Sequence, residues 1–188
     1  DSEGKVVYRA VRRLNRPRNR HEMWIYHSRD GGASETLVDV VVGERASLFS
    51  PPGSPRAFVL IDNQLFESKP QRLLSLHNFG PSVSANAVQV VALSGGVNGE
   101  SIYLYASFGQ ADQSIIYRSL DGGISFENRG PAPTTMMTPN SFSASASDPN
   151  LLYVGAVQAY VSSNGGTTWQ LVNHWRDYYT WPESKLHA

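Results

Sequence analysis

The chain has 188 residues, of which 40% are hydrophobic and 17% charged, so it belongs with folded globular chains and not with disordered ones. Sixteen Lys+Arg balance sixteen Asp+Glu to a formal net charge of zero, which argues against nucleic acid or an anionic membrane as the main partner. Cysteine is absent, which excludes disulfides, thiol catalysis and thiolate metal sites while leaving the compartment open. No apolar run approaches the ~18 residues of a membrane span, no secretory leader is visible, and the opening Asp1 is expected of a processed or partial sequence.

Along the chain, the first feature is an arginine-rich run, Arg9-Ala-Val-Arg12-Arg13-Leu-Asn-Arg16-Pro-Arg18-Asn-Arg20. It reads as a solvated strand edge and loop, with docking of an acidic partner as the functional alternative. A motif follows at Ser28-Arg-Asp30-Gly31-Gly32-Ala-Ser34-Glu35, and Ala57-Phe-Val-Leu-Ile61 is a predicted strand. Leu65-Phe-Glu-Ser68-Lys-Pro70 keeps a serine but has no Gly-Gly turn. Gly95, Gly96 and Gly99 read as a hairpin turn before a predicted strand over Ser101-Ile-Tyr-Leu-Tyr-Ala106. The motif returns as Ser119-Leu-Asp121-Gly122-Gly123-Ile-Ser125-Phe126. After a predicted strand over Leu151-Leu-Tyr-Val-Gly155, it returns again as Ser162-Ser-Asn164-Gly165-Gly166-Thr-Thr168-Trp169. The four serines are spaced by 40, 51 and 43 residues, the length of one four-stranded propeller blade. No stretch sustains apolar residues at helical spacing, and 16 Gly with 11 Pro supply the turns an all-β chain needs.

The motif has a physical logic. Gly-Gly between two β-rich runs makes a tight reversal, because glycine accepts positive φ. The Asp or Asn side chain accepts hydrogen bonds from N–H groups of its own turn, and the closing aromatic covers the turn from solvent. Ser28, Asp30, Gly32, Ser119, Asp121, Gly123, Phe126, Ser162, Asn164, Gly166 and Trp169 are therefore expected to be structural.

These residues resemble the Asp-box (BNR) repeat, Ser-x-Asp-x-Gly-x-Thr/Ser-Trp/Phe. The match is complete at 119–126, has Asn for Asp at 162–169 and Glu35 for the aromatic at 28–35. The strand around Ser147-Asp-Pro-Asn-Leu-Leu-Tyr-Val-Gly155 is similar to blades of the xyloglucanase-type and sortilin-like propeller group, and Lys185-Leu-His187-Ala188 is similar to the start of a further blade. The resemblance implies an all-β fold, a propeller arc of about four four-stranded blades over approximately 1–45, 46–85, 86–135 and 136–180. It also implies a secreted, periplasmic or cell-surface setting. The arc is expected to be part of a longer propeller; a second copy or another chain completing the ring, or a compact four-bladed ring, are the other arrangements.

For function the resemblance implies glycan binding or glycoside hydrolysis, or alternatively a non-catalytic scaffold for proteins or peptides. Hydrolysis needs two carboxyl groups facing one bond, and among Asp39, Asp62, Asp112, Asp148 and Asp177 spacing selects no pair; Asp62 and Asp112 read as turn residues. The arginine pattern of sialidases is absent. The run His174-Trp175-Arg176-Asp177-Tyr178-Tyr179-Thr-Trp181 reads first as packing between blades, with sugar stacking by its aromatic rings and hydroxyl binding by Arg176 and Asp177 as the functional alternative. His21, His27, His77, His174 and His187 show no metal-ligand spacing, and no cofactor motif is present.

Overall fold

The computed structural model describes residues 6–80, 90–109, 113–134, 141–155 and 158–173. The chain is all-β and forms an arc of four antiparallel sheets arranged as in a propeller. The first has three strands among the described residues, β1 (Val7–Asn15), β2 (Arg20–Ser28) and β3 (Thr36–Val42). The second comprises β4 (Ala46–Phe49), β5 (Phe58–Ile61), β6 (Gln64–Lys69) and β7 (Arg72–Asn78). The third comprises β8 (Val90–Asn98), β9 (Ser101–Gly109), β10 (Ser114–Ser119) and β11 (Glu127–Pro131), and the fourth β12 (Phe142–Ala144), β13 (Leu152–Gly155), β14 (Ala159–Ser162) and β15 (Gln170–Asn173). Every sheet is a meander, each strand pairing with the next in sequence.

Strands β4, β8 and β12 open their sheets and lie against one another. Serines bind them across the gap: the Leu93 N–H donates to Ser47 Oγ at 3.0 Å and the Ala144 N–H to Ser94 Oγ at 2.9 Å. Three apolar layers fill the spaces between sheets. Met23, Ile25 and Val38 meet Val59, Ile61 and Phe66 in the first. Phe58, Leu60 and Leu65 meet Leu104 and Phe108 in the second. Tyr103, Tyr105 and Ile116 meet Phe142, Leu152 and Val154 in the third. Burial of these side chains is the main term holding sheet to sheet.

Two sequence readings change here. Gly95 and Gly96 lie inside β8, and only Gly99 turns, at φ +62°. A side chain at Gly95 would collide with the Tyr103 carbonyl and one at Gly96 with the Ala146 carbonyl, so these glycines serve close strand approach. The arginine run occupies the edge strand β1 and the 3-10 turn at Arg16–Arg18 that joins it to β2, but it is not simply solvated. Arg13 lies 4.4 Å over the Trp24 ring and Arg9 4.9 Å over Tyr26, so these two arginines cover aromatic faces instead of facing only water.

One irregularity recurs in all four sheets. The register slips immediately before Tyr26, Phe66, Tyr117 and Tyr160, each two residues before a phase-marking serine. The slip leaves one extra residue on the facing strand, respectively Val38, Leu76, Arg129 and Val172. Such a bulge re-aims the extra side chain, and three of the four are aliphatic while the third is arginine.

Candidate functional site

The three Gly-Gly turns share one hydrogen-bond pattern. In the third sheet, Ser119 Oγ donates to Asp121 Oδ1 at 2.7 Å and accepts from the Gly123 N–H at 2.8 Å. Asp121 also accepts from the Ser125 N–H at 3.0 Å and its hydroxyl at 2.5 Å. In the first sheet, Ser28 bonds Asp30 at 2.7 Å and Gly32 at 2.8 Å, and Ser34 bonds Asp30 through its N–H and hydroxyl. In the fourth, Ser162 bonds Asn164 at 3.0 Å and Gly166 at 2.8 Å, and the Asn164 amide donates to Thr168 Oγ1 at 2.7 Å, reversing the donor that Asp uses. Gly32, Gly123 and Gly166 have φ of +98°, +94° and +88°, which only glycine adopts without strain.

These contacts set the carboxylate chemistry. Burial pushes the Asp121 pKa up, but bonds from Ser125, Ser119 and Ile124 outweigh it and hold the value at about 2. Asp30 is held well below the usual range by the Ser34 hydroxyl first, then by the Ser34 N–H and Ser28. Both are fully ionised turn locks at neutral pH, unsuited to proton transfer.

The turns of the third and fourth sheets pack on the sheet before them, whereas the first sheet's turn has open space beside Gly31 and Gly32. A side chain at Gly123 would stand 2.8 Å from Leu65 and 3.3 Å from the bulge residue Leu76 of the second sheet. Phe126 closes that turn against His77 and Phe79, at ring centroid distances of 4.9 and 4.8 Å. The fourth sheet's turn is clasped by the bulge residue Arg129, whose Nε donates to the Gly165 carbonyl at 2.8 Å and whose Nη2 donates to the Asn164 carbonyl at 2.8 Å and to Thr167 Oγ1. Glu127 anchors Arg129 at 2.8 Å and Arg118 at 3.1 Å. Arg56 plays a similar part, bonded to buried Glu67 at 2.7 Å and reaching the Gly122 carbonyl at 3.5 Å. Glu35 stands where the other turns have an aromatic, and it pairs with Arg9 through two carboxylate contacts, one at 2.8 Å.

The other described carboxylates, Glu100 apart, are structural as well. Asp62, a turn residue with φ +48°, accepts the Glu44 and Arg45 N–H groups. Asp39 accepts the Leu73 N–H of the second sheet at 3.0 Å. Asp148 accepts from the Asn150 N–H at 2.9 Å, and Glu22 from the Asn15 amide at 2.7 Å. Glu44 lies 3.6 Å from His21. Among the described residues no group of three or more His, Cys, Asp or Glu is placed to hold a metal ion, and no helix is long and apolar enough to cross a membrane.

A cavity of about 680 Å³ opens between the first and second sheets. The start of β1 with Tyr8, the β2 end with His27 and Arg29, the proline-rich 50–55 segment and the Ser68–Pro70 turn line it. The Tyr8 and His27 rings sit 5.2 Å apart, and burial followed by the Arg29 charge lowers the His27 pKa, which favours the neutral imidazole. Its wall holds Arg29, which is exposed, and Lys69, whose ammonium is paired with the buried Glu67 carboxylate at 2.7 Å. The volume lies within the ~300–1,000 Å³ of small-ligand sites.

Of the residues singled out by sequence, the turn residues are brought together within their own turns. Asp112, His174, Trp175, Arg176, Asp177, Tyr178, Tyr179, Trp181 and His187 lie outside the described residues. Sequence reasoning missed Arg56, Arg129, Glu67 and Glu127, whose roles depend on cross-sheet geometry. It also missed the cavity, for which the lost Gly-Gly turn after Ser68 was a legible signal.

No protein-family model and no curated protein matches the chain. Among solved structures, it is similar to a GH74 xyloglucanase from Xanthomonas campestris, at 17% identity and a TM-score of 0.49 over 66% of this chain and 20% of the other. It is also similar to YCF48 bound to D1 peptide, at 15% identity and a TM-score of 0.42 over 81% of this chain and 50% of that one. The chain therefore spans a fifth and a half of these two proteins.

Proposed function

We propose that the chain is a run of Asp-box blades, laid out over approximately 1–45, 46–85, 86–135 and 136–180, that serves as a non-catalytic scaffold binding a protein or peptide in the cavity between the first two sheets. The observation that carries this reading is the fate of the acidic side chains. Apart from Glu100 in the β8–β9 turn, every described Asp and Glu is engaged in holding a turn, a strand or a cation. None faces a partner carboxyl across a cleft, which hydrolysis of a glycoside requires. The cavity offers instead apolar walls, rigid prolines and cationic groups, a composition suited to binding.

The test sets the two activities against each other. The whole chain is incubated with xyloglucan and other β-glucans, and separately screened against a displayed peptide library. Ser54→Trp and Tyr8→Ala, both in the cavity wall, serve as variants, with melting curves to show that they fold. The expected result is peptide retention that falls at least tenfold in these variants, with no release of reducing sugar. Release of reducing ends, or peptide binding indifferent to both variants, would overturn the reading.

A further inference from the structure

The turn between β6 and β7 is two residues long, Pro70-Gln71, whereas the corresponding turns after β2, β10 and β14 each have seven. Those three turns fold back over their serine, and the ones after β10 and β14 seat on the preceding sheet. The second sheet keeps its serine without the turn. Ser68 is nine-tenths buried, and its hydroxyl has no hydrogen-bond partner among the described residues. At the matching position the Ser119 hydroxyl donates to Asp121 and accepts from Gly123. The space that a seven-residue turn would occupy, against the end of the first sheet, is where the cavity opens, with Ser68, Lys69 and Pro70 on one wall and Tyr8, His27 and Arg29 on the other. A buried polar group without a partner calls for an explanation, and here the explanation is a missing neighbour.

We infer that the cavity is an unfilled turn berth, and that its ligand is a peptide turn of another protein carrying an Asp side chain followed by an aromatic. Three observations support this occupant. The berths between the other sheets are filled by such turns, with Asp121 and Phe126 in one and Asn164 and Trp169 in the other. The wall carries a cation free to meet an anion: Lys69 is held by the buried Glu67 at 2.7 Å, but Arg29 is exposed in the lining and its guanidinium suits a carboxylate. Pro51, Pro52 and Pro55 fix the outer wall, so little order is lost on binding. The inference rests on the scaffold reading and specifies its ligand.

The probe is a cyclic peptide containing Leu-Asp-Gly-Gly-Ile-Ser-Phe, the sequence of this chain's own 120–126 turn, titrated calorimetrically into the whole chain. Binding is expected to weaken at least fivefold when the peptide Asp is replaced by Asn and at least fivefold in Arg29→Ala, and to be unchanged in Arg12→Ala. A second variant grafts the same seven residues in place of Pro70-Gln71; it is expected to melt at a higher temperature than the wild type and to lose the peptide entirely. Binding that persists in the graft, or that ignores both Arg29→Ala and the Asp replacement, overturns the inference. A trigalacturonate that binds as well as the peptide overturns it in favour of an acidic sugar. If the cyclic peptide fails while library peptides still bind in a Ser54-dependent way, the turn-berth idea falls and the scaffold reading stands.

Discussion

Arg129 Nε donates to the Gly165 carbonyl at 2.8 Å, so the bulge residue of the third sheet closes over the turn of the fourth. Its side chain is only 13% exposed, and Glu127 holds it from the solvent side. Arg129→Ala leaves the Gly165 and Asn164 carbonyls without this donor, and a loss of about 2–3 kcal/mol is expected in urea unfolding, since hydrogen bonds to charged groups contribute about 1.5–3 kcal/mol. Arg129→Lys should recover little of it, because an ammonium cannot reproduce the guanidinium fork.

The serines divide into two kinds. Ser119→Ala removes the acceptor of the Gly123 N–H and the donor to Asp121, so a loss of about 1–3 kcal/mol is expected. Ser68→Ala removes a hydroxyl that has no partner among the described residues, so stability should stay level or rise. Paired urea midpoints for the two variants check the contrast, and equal losses would contradict it.

Glycine substitutions separate strain from crowding. Gly32 has φ +98° with open space beside it, so Gly32→Ala meets only backbone strain, about 1–2 kcal/mol. Gly123 has φ +94° and Leu65 at 2.8 Å, so Gly123→Ala adds overpacking and should lose at least twice as much. Thermal unfolding of the two variants measures the difference.

Acid should loosen the Asp-centred turns. The folded pKa of Asp121 is lowered to about 2 from the ordinary aspartate value of 3.8, so its ionised form contributes stability above 3.8, and that contribution is lost as pH falls through about 2. Asp30 acts in the same direction. Asp121→Asn copies the natural Asn164 arrangement and should fold while showing a shallower loss of stability between pH 4 and 2. Urea midpoints across that range read out the slope.

How far the sequence led can be seen residue by residue. The Gly-Gly turns and the strands ahead of them were legible because one local hydrogen-bond pattern demands particular residues within eight positions, as Ser119 to Phe126 shows. The propeller arc followed from the period of that pattern. Arg129 was not legible: its position is a bulge set by pairing with β10, and its partner lies 36 residues on. Gly95 and Gly96 misled because a glycine pair in a strand, needed for close approach of neighbouring backbones, looks in sequence like a turn. The cavity was half-legible, as a motif that failed at Pro70, and its cationic wall became visible only when β1 and β2 were set beside it.

The cross-sheet fastenings described above run from one sheet to the next: Ser47 to Leu93, Ser94 to Ala144, Leu76 to Gly123 and Arg129 to Gly165. A molecule fastened in this way behaves as a row of coupled units whose cohesion is a sum over adjacent pairs. The first and second sheets are joined by the Leu73 N–H to Asp39 bond and their apolar layer but have no seated turn among the described residues, so this joint is expected to open first. Its amides should exchange with solvent at a lower opening free energy than those of β9 and β10, and any ligand seated in that gap would tighten the joint and slow the exchange.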